Sequence, residues 1–379
     1  MLLYALKMLI GDRTKYIGLV VALSFASFII SQQGAIFVGI MKRTFSYLSD
    51  TSQPDIWVMD PTVQYIDDLK GMKETVLYRV RSIEGIDWAV PLYKGTIQAR
   101  LHSGTFQNCV FVGIDDATLI GGPPAMIEGN LHDLRFPNAI IVNQIGAKDK
   151  LSSHNVPLAV GDVMELNDHR AYVAGICSTS RTFQSQPVIY TTYNQATLIA
   201  PLVRDVLTFV LVKAKEGVDP QQLCQKIRAI TGYAAYTTWD FKKLTMLYYA
   251  KYTGIVVNFG IAILLGFVIG VAIAGQTFFN FIIENIRYFA IFKAMGANNS
   301  LLVKMVFLQA SLVSAIGWGI GIGCAAIFGW AMRYTELSFN LPWWLYLMSV
   351  LCLFCICLIA ALFSMIKVIR IDPAIVFKS

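Results

Sequence analysis

The plainest pattern along the chain is where charge is missing. Four runs, residues 16–41, 252–283, 305–332 and 337–366, contain no Asp, Glu, Lys or Arg. Each exceeds the about 20 apolar residues that a helix needs to cross about 30 Å of hydrocarbon. The pattern therefore predicts four transmembrane helices over those ranges, with a short outer loop at 333–336. Residues 1–15 read as an amphipathic helix at the membrane surface, Leu2, Leu3, Leu6, Leu9 and Ile10 flanking Lys7.

Between the first and second runs lies a segment of ordinary polarity, 42–251, long enough for a water-soluble domain. Its periodicity alternates between two and about 3.6 residues. Strands are expected at Asp55–Met59, Thr96–Leu101, Cys109–Ile114, Val206–Val212 and Tyr233–Thr237. Helices are expected at Leu69–Ile83 and from Pro220 through Ile230. The two ends of the segment thus read as one α+β module. A mostly β insert over about 115–190, with Ala139–Val142 and Ala171–Ile176 as strands, is entered through Gly121, Gly122, Pro123 and Pro124. The fold class is a four-helix α-helical membrane protein carrying a large α+β extracytoplasmic domain between its first two transmembrane helices.

Composition agrees with the pattern. Hydrophobic residues make up 56% and charged residues 15% of 379, against about 45–50% and about 25% in soluble domains. The net charge of +7 would invite a nucleic-acid partner were it spread over a surface. It is not. The 42–251 segment is almost balanced, with 21 basic and 20 acidic residues, and nine of the other ten basic residues sit on 1–15, 284–304 and 367–379. The 333–336 loop has only Arg333. By the positive-inside rule those three segments, and with them both termini, face the cytoplasm, and the large domain lies outside. No nucleic acid is expected. The first run is too long for a signal-peptide core and lacks a small-residue cleavage site, so it is read as a retained anchor.

Catalytic and metal signals are lacking. No two of His102, His132, His154 and His169 stand four apart, and neither a phosphate-binding glycine loop nor a nucleophile elbow occurs. Cys352, Cys355 and Cys357 lie mid-span among Leu, Phe and Ile, and read as small packing residues. Cys109, Cys177 and Cys224 are odd in number and far apart, so their disulfide status is open. No cofactor is expected on this chain. Gly266 with Gly270, Gly317 with Gly321 and Gly319 with Gly323 permit close helix contact, within the chain or across a dimer. Gln32, Gln33, Asn258, Gln276, Asn280 and Gln309 are the polar residues inside the spans, read chiefly as interhelical hydrogen-bonding groups.

The most informative segment runs from Glu284 to Ala297, in the 284–304 loop. Ile286, Phe289, Ala290, Lys293 and Ala294 fit a helix ended by Gly296. Arg287, Ile291, Lys293, Ala294, Met295, Gly296 and Ala297 follow a pattern that resembles the loop between the second and third membrane helices of MacB-like and FtsX-like ABC transporter permeases, particularly the DevC-like branch. The tail from Arg370 through Asp372, Pro373 and Ala374 to Ile375 is similar to that family's ending, and the order of spans and outer domain matches throughout.

The resemblance implies a non-catalytic permease subunit in a bacterial inner membrane. It implies a separate ABC ATPase as partner, a membrane-fusion type adaptor, and a homodimer. The loop would be a coupling helix seated on the ATPase, with Glu284, Arg287, Tyr288, Ile291, Lys293, Met295 and Gly296 as its contact and shaping residues. Two rivals are a regulator of a cell-wall hydrolase using the same helix, and a membrane-anchored ligand sensor or scaffold.

Overall fold

The computed structural model describes residues 2–101, 104–152, 156–200 and 207–369, and the tail motif at 370–375 lies outside them, as do His102 and His154. In chain order the elements are α1 (Leu2–Gly11), α2 (Arg13–Thr44), α3 (Ser46–Asp50), β1 (Ile56–Met59), α4 (Thr75–Arg81), β2 (Ile86–Arg100), β3 (Phe106–Ile114), β4 (Ala125–Glu128), β5 (Ala139–Asn143), α5 (Gln144–Lys148), β6 (Val163–Leu166), β7 (His169–Ser178), β8 (Val188–Thr192), α6 (Tyr193–Ile199), β9 (Phe209–Ala214), α7 (Pro220–Thr231), β10 (Ala234–Thr237), α8 (Thr238–Tyr252), α9 (Ile255–Glu284), α10 (Ile286–Ala294), α11 (Asn299–Ala331) and α12 (Trp343–Ile369). They fall into two compact units, Met41–Thr253 and the remainder.

The membrane unit contains four helices long and apolar enough to cross a bilayer, α2, α9, α11 and α12. Their ends follow local chemistry rather than the limits of the uncharged runs. α2 is helical through Lys42 and Arg43, because nothing in the sequence stops it at the last apolar residue. α12 begins only after Pro342, which has no N–H to give and so suits a helix start. α8 and α9 are separated at Gly254, which takes φ +67°, a conformation that costs glycine little.

Glycine governs how the helices meet. A Cβ on Gly321 would stand 2.5 Å from the Ser24 carbonyl oxygen, and one on Gly317 2.7 Å from Leu23 Cβ. On α9, a Cβ at Gly270 would meet Ala26 Cβ at 2.9 Å, and at Gly266 it would meet Ile29 at 3.0 Å. Both pairs therefore seat α2 within the same chain. Gly319 and Gly323 have nothing within 4 Å and point elsewhere. Gln309 is fully buried, whereas Asn258, Gln276 and Asn280 are exposed along one face of α9.

The outer unit is built on a mixed sheet of ten strands among the described residues, in the order β10-β1-β9-β2-β3-β8-β5-β7-β4, with β6 paired to β2 and β7. β1 shows why both faces are covered. All four of its residues are buried, and by strand alternation Ile56 and Val58 join one core while Trp57 and Met59 join the other. The first core takes Val76 and Val80 of α4 and Leu223 and Ile227 of α7; the second takes Tyr47 of α3 and Phe241 of α8. α7 is closed at both ends: Asp219 accepts from the Gln221 N–H at 3.1 Å, Pro220 opens the helix, and Gly232 takes φ +76° after it.

Strands from the two ends of the unit pair directly, β1 lying antiparallel to both β9 and β10. The region read as an inserted β subdomain continues the same sheet, because the 15-residue β2 pairs with β9 along its first part and with β3 along its second. The helix expected over Leu69–Ile83 is confined to Thr75–Arg81. Its first part is extended instead, since the Met72 N–H donates to the Leu207 carbonyl at 2.7 Å.

Candidate functional site

The segment from Glu284 to Ala297 forms a turn, a helix and a cap. Asn285 separates α9 from α10, and its amide donates to the Phe281 carbonyl at 2.9 Å. Along α10, Phe289 and Ala290 are fully buried in a cluster with Phe281, Leu302, Met305 and Val306, from the end of α9 and the start of α11. The helix closes with two reversed bonds: the Gly296 N–H donates to the Lys293 carbonyl at 3.1 Å and the Ala297 N–H to the Phe292 carbonyl at 3.0 Å. Gly296 takes φ +90° to permit this, the arrangement that most often ends a helix on glycine. Phe292 and Ala297 pack on the same apolar cluster.

Helical geometry then places the remaining residues. Arg287, Tyr288, Met295 and Gly296 are exposed, with Tyr288 at 56% and Met295 at 61%; Ile291 and Lys293 are half-buried. Glu284, at the end of α9, is ion-paired with Lys15 of α2, and Lys15 also reaches Asp12 at 3.0 Å. This charge link joins the first turn of α2 to the last turn of α9. A cavity of about 790 Å3 lies beside it, bordered by Lys7, Gly11 and Arg13 on one side and by Asn285, Tyr288 and Phe292 on the other. An anchored helix with an exposed, partly cationic face suits docking of a partner rather than bond-making chemistry.

A second feature lies in the outer unit and has no counterpart in the sequence reading. Lys94, in the middle of β2, has a side chain only 3% exposed and is ion-paired with Asp67. Its ammonium also donates to the Ile66 carbonyl at 3.4 Å and lies 5.5 Å from the centre of the Tyr47 ring. The Tyr249 hydroxyl donates to the other Asp67 oxygen at 3.4 Å, and burial, followed by the Asp67 charge, holds that phenol well above its usual range. Over this pair opens a cavity of about 160 Å3, walled by Tyr65, Phe183 and Tyr249 and edged by Thr96, Thr182, Gln184 and Gln186. These residues come from five separated parts of the sequence, which is why no local motif announces them.

Among the described residues no group of three His, Cys, Asp or Glu side chains is placed to hold a metal. Cys109, Cys177 and Cys224 are buried free thiols, each pushed up to about 12 chiefly by desolvation.

Comparison with known proteins places the chain. The family profile described as MacB-like periplasmic core domain matches residues 19–230, and that described as FtsX-like permease C-terminal matches residues 239–373. Among solved structures, the periplasmic region of MacB from Actinobacillus actinomycetemcomitans is similar at 13% identity and TM-score 0.38, over 52% of this chain and 94% of that one. The extracellular domain of the noncanonic ABC-type transporter YknZ from Gram-positive bacteria is similar at 12% identity and TM-score 0.36, over 49% and 99%. A domain of a putative permease protein from Porphyromonas gingivalis is similar at 12% identity and TM-score 0.33, over 48% and 89%. A search of curated proteins gave no match. With more than half of its length matched by one of these profiles and most of the remainder by the other, the chain belongs to the MacB-like and FtsX-like family of ABC transporter permeases, and is a multi-pass membrane protein with a MacB-like α+β domain between its first two membrane helices.

Proposed function

We propose that this chain is the non-catalytic permease subunit of an ABC-type exporter or mechanotransmission complex of the bacterial inner membrane. In this reading it relays ATP hydrolysis by a separate ATPase to its extracytoplasmic domain, and the coupling element is α10. The observation that carries the proposal is the two-sidedness of that helix: Phe289 and Ala290 lock it into the membrane unit while Arg287, Tyr288 and Met295 face outward. A force on the outer face is passed to α9 and α11 through the buried one. The Lys15–Glu284 pair links the same point to α2, an unbroken helix of 32 residues running through Thr44. At about 1.5 Å per residue it is a rod of about 48 Å.

Charge distribution supports cytoplasmic termini, and a homodimer is supported by α9. Asn258, Gln276 and Asn280 line one exposed face of that helix among many apolar residues, where amides in contact with lipid are costly. A second copy meeting this face would pair them. A periplasmic adaptor is the expected third component.

Affinity purification of the chain from its native membrane in mild detergent tests the proposal. Recovery of an ATPase with an adaptor is the expected result. Recovery of an ATPase with a cell-wall hydrolase would move the reading to a hydrolase regulator, and absence of any ATPase would overturn it. Arg287→Ala with Lys293→Ala should release the ATPase.

A further inference from the structure

The Lys94 cavity has features that a purely structural ion pair leaves unexplained. A lysine with 3% of its side chain exposed is costly to bury unless its donors are used. Asp67 takes one of its three N–H groups, the Ile66 carbonyl takes a second at a long 3.4 Å, and beyond these the ammonium meets only the Tyr47 ring, 5.5 Å from its centre, and the cavity that it lines. Buried donors of this kind are normally met by water or by a ligand. The walls of the cavity are unlike a generic crevice. Tyr65 is held by stacking on Tyr248 at 4.2 Å, and Phe183 packs on Tyr249 at 4.7 Å, so the aromatic side is fixed before anything binds. Opposite chemistry edges it: the Gln186 amide donates to the Gln184 side-chain carbonyl at 2.9 Å, the Thr182 hydroxyl accepts from the Gln186 backbone N–H at 3.1 Å, and the Thr96 hydroxyl stands beside them.

The ligand class follows from what these groups select. Lys94 and Asp67 neutralise one another, so a free anion meets the carboxylate and a free cation meets the ammonium, and neither is favoured. The lining offers both donors and acceptors at close spacing, which suits a molecule that is itself rich in hydroxyls. Aromatic faces suit the C–H surface of a ring. The volume of about 160 Å3 is below the about 300 Å3 at which pockets begin to enclose drug-sized ligands, so one ring of a larger molecule is what fits. We propose that the Tyr65–Lys94–Tyr249 cavity of the outer domain is a binding site for a single neutral sugar ring.

The test uses the full chain in lipid nanodiscs, free of sugar-based detergent, with saturation-transfer NMR. The probes are methyl glucoside, methyl N-acetylglucosaminide, their octyl counterparts, choline and acetate. At least one methyl or octyl glycoside should receive saturation at its ring protons. Gln184→Ala removes an exposed amide at the rim and should weaken that binding by about two- to tenfold, the scale of one hydrogen bond. Asp67→Asn should weaken it further, and Tyr78→Ala, on the exposed face of α4, should leave it unchanged. Binding of the octyl glycosides alone would assign the ring to a lipid-borne sugar; equal binding of the methyl glycosides would assign it to a free or polymeric one. The proposal is overturned if choline or acetate binds and no glycoside does, if no probe binds, or if Gln184→Ala and Asp67→Asn chains that melt like the unmodified one bind as it does.

Discussion

Gly321→Ala is the sharpest perturbation of the membrane unit, because the structure supplies its own control two residues away. The new methyl would lie 2.5 Å from the Ser24 carbonyl oxygen and 2.5 Å from Ser27 Cβ. Ordinary contact begins at about 3.5 Å, so α2 and α11 must separate by about 1 Å. One of the two obstructing atoms is backbone and cannot rotate away. Overpacking of this kind costs about 1–3 kcal/mol, and two close atoms place it at about 2–3 kcal/mol. Alanine returns up to about 1 kcal/mol through helix propensity. Gly323→Ala receives the same return with nothing within 4 Å of its methyl. The two variants should therefore differ by about 2–3 kcal/mol, on the order of 5–10 °C in melting temperature for a unit of this size. Melting of the detergent-solubilised chain followed by tryptophan fluorescence reads this directly. Equal melting of the two variants would refute the packing of α2 against α11 through Gly317 and Gly321.

Three further outcomes follow. Cys109, Cys177 and Cys224, whose thiols are pushed up to about 12 by burial, should resist maleimide at pH 8 in the native chain and react once it is denatured; native labelling at any of them would contradict their placement. The Asp240 carboxyl is held below its ordinary value by the Thr237 hydroxyl, which donates to it at 2.7 Å, and by Gln221 at 2.6 Å. Its folded-state value being the lower one, the contribution is complete above about 4 and disappears as pH falls through the depressed value. Asp240→Asn should thus be less stable than the unmodified chain at pH 7 and converge with it in acid, which chemical denaturation at a series of pH values would check. Exchange of the Lys15–Glu284 charges (Lys15→Glu with Glu284→Lys) should cost less than the sum of the two single changes, since Lys15→Glu also gives up the Asp12 pair, with a coupling of about 1 kcal/mol or less because Glu284 is largely exposed; a double-mutant cycle showing no coupling would remove this link between α2 and α9.

The bilayer made the four long helices legible, because it imposes both a length and an absence of charge that few other environments require. Their ends were less legible, since Pro342 and the helix-compatible Lys42 and Arg43 act locally. α8 escaped the periodicity reading because exposed Trp239, Leu247 and Tyr252 blur its apolar stripe. The available signal was the cap, Thr237 followed three residues later by Asp240, which exchange hydrogen bonds at the helix start. The Met72–Leu207 bridge likewise overrode the helical spacing before α4. In α10, Gly296 could be read as a terminator, but the division between buried Phe289 and exposed Tyr288 needed the neighbouring helices. The Lys94 cavity was illegible for the opposite reason to the spans: its parts lie as far apart as Tyr65 and Tyr249, and only the sheet and α8 bring them together.

In the function proposed for this chain, the outward face of α10 meets an ATPase. A photoreactive p-benzoylphenylalanine placed at Tyr288, and in a second chain at Phe289, tests it in native membranes. A docked ATPase should give an ultraviolet-dependent crosslink from position 288 to an ATP-hydrolysing subunit and none from position 289. A correctly folded chain whose position 288 captures no ATPase, or whose two positions capture it equally, would contradict it.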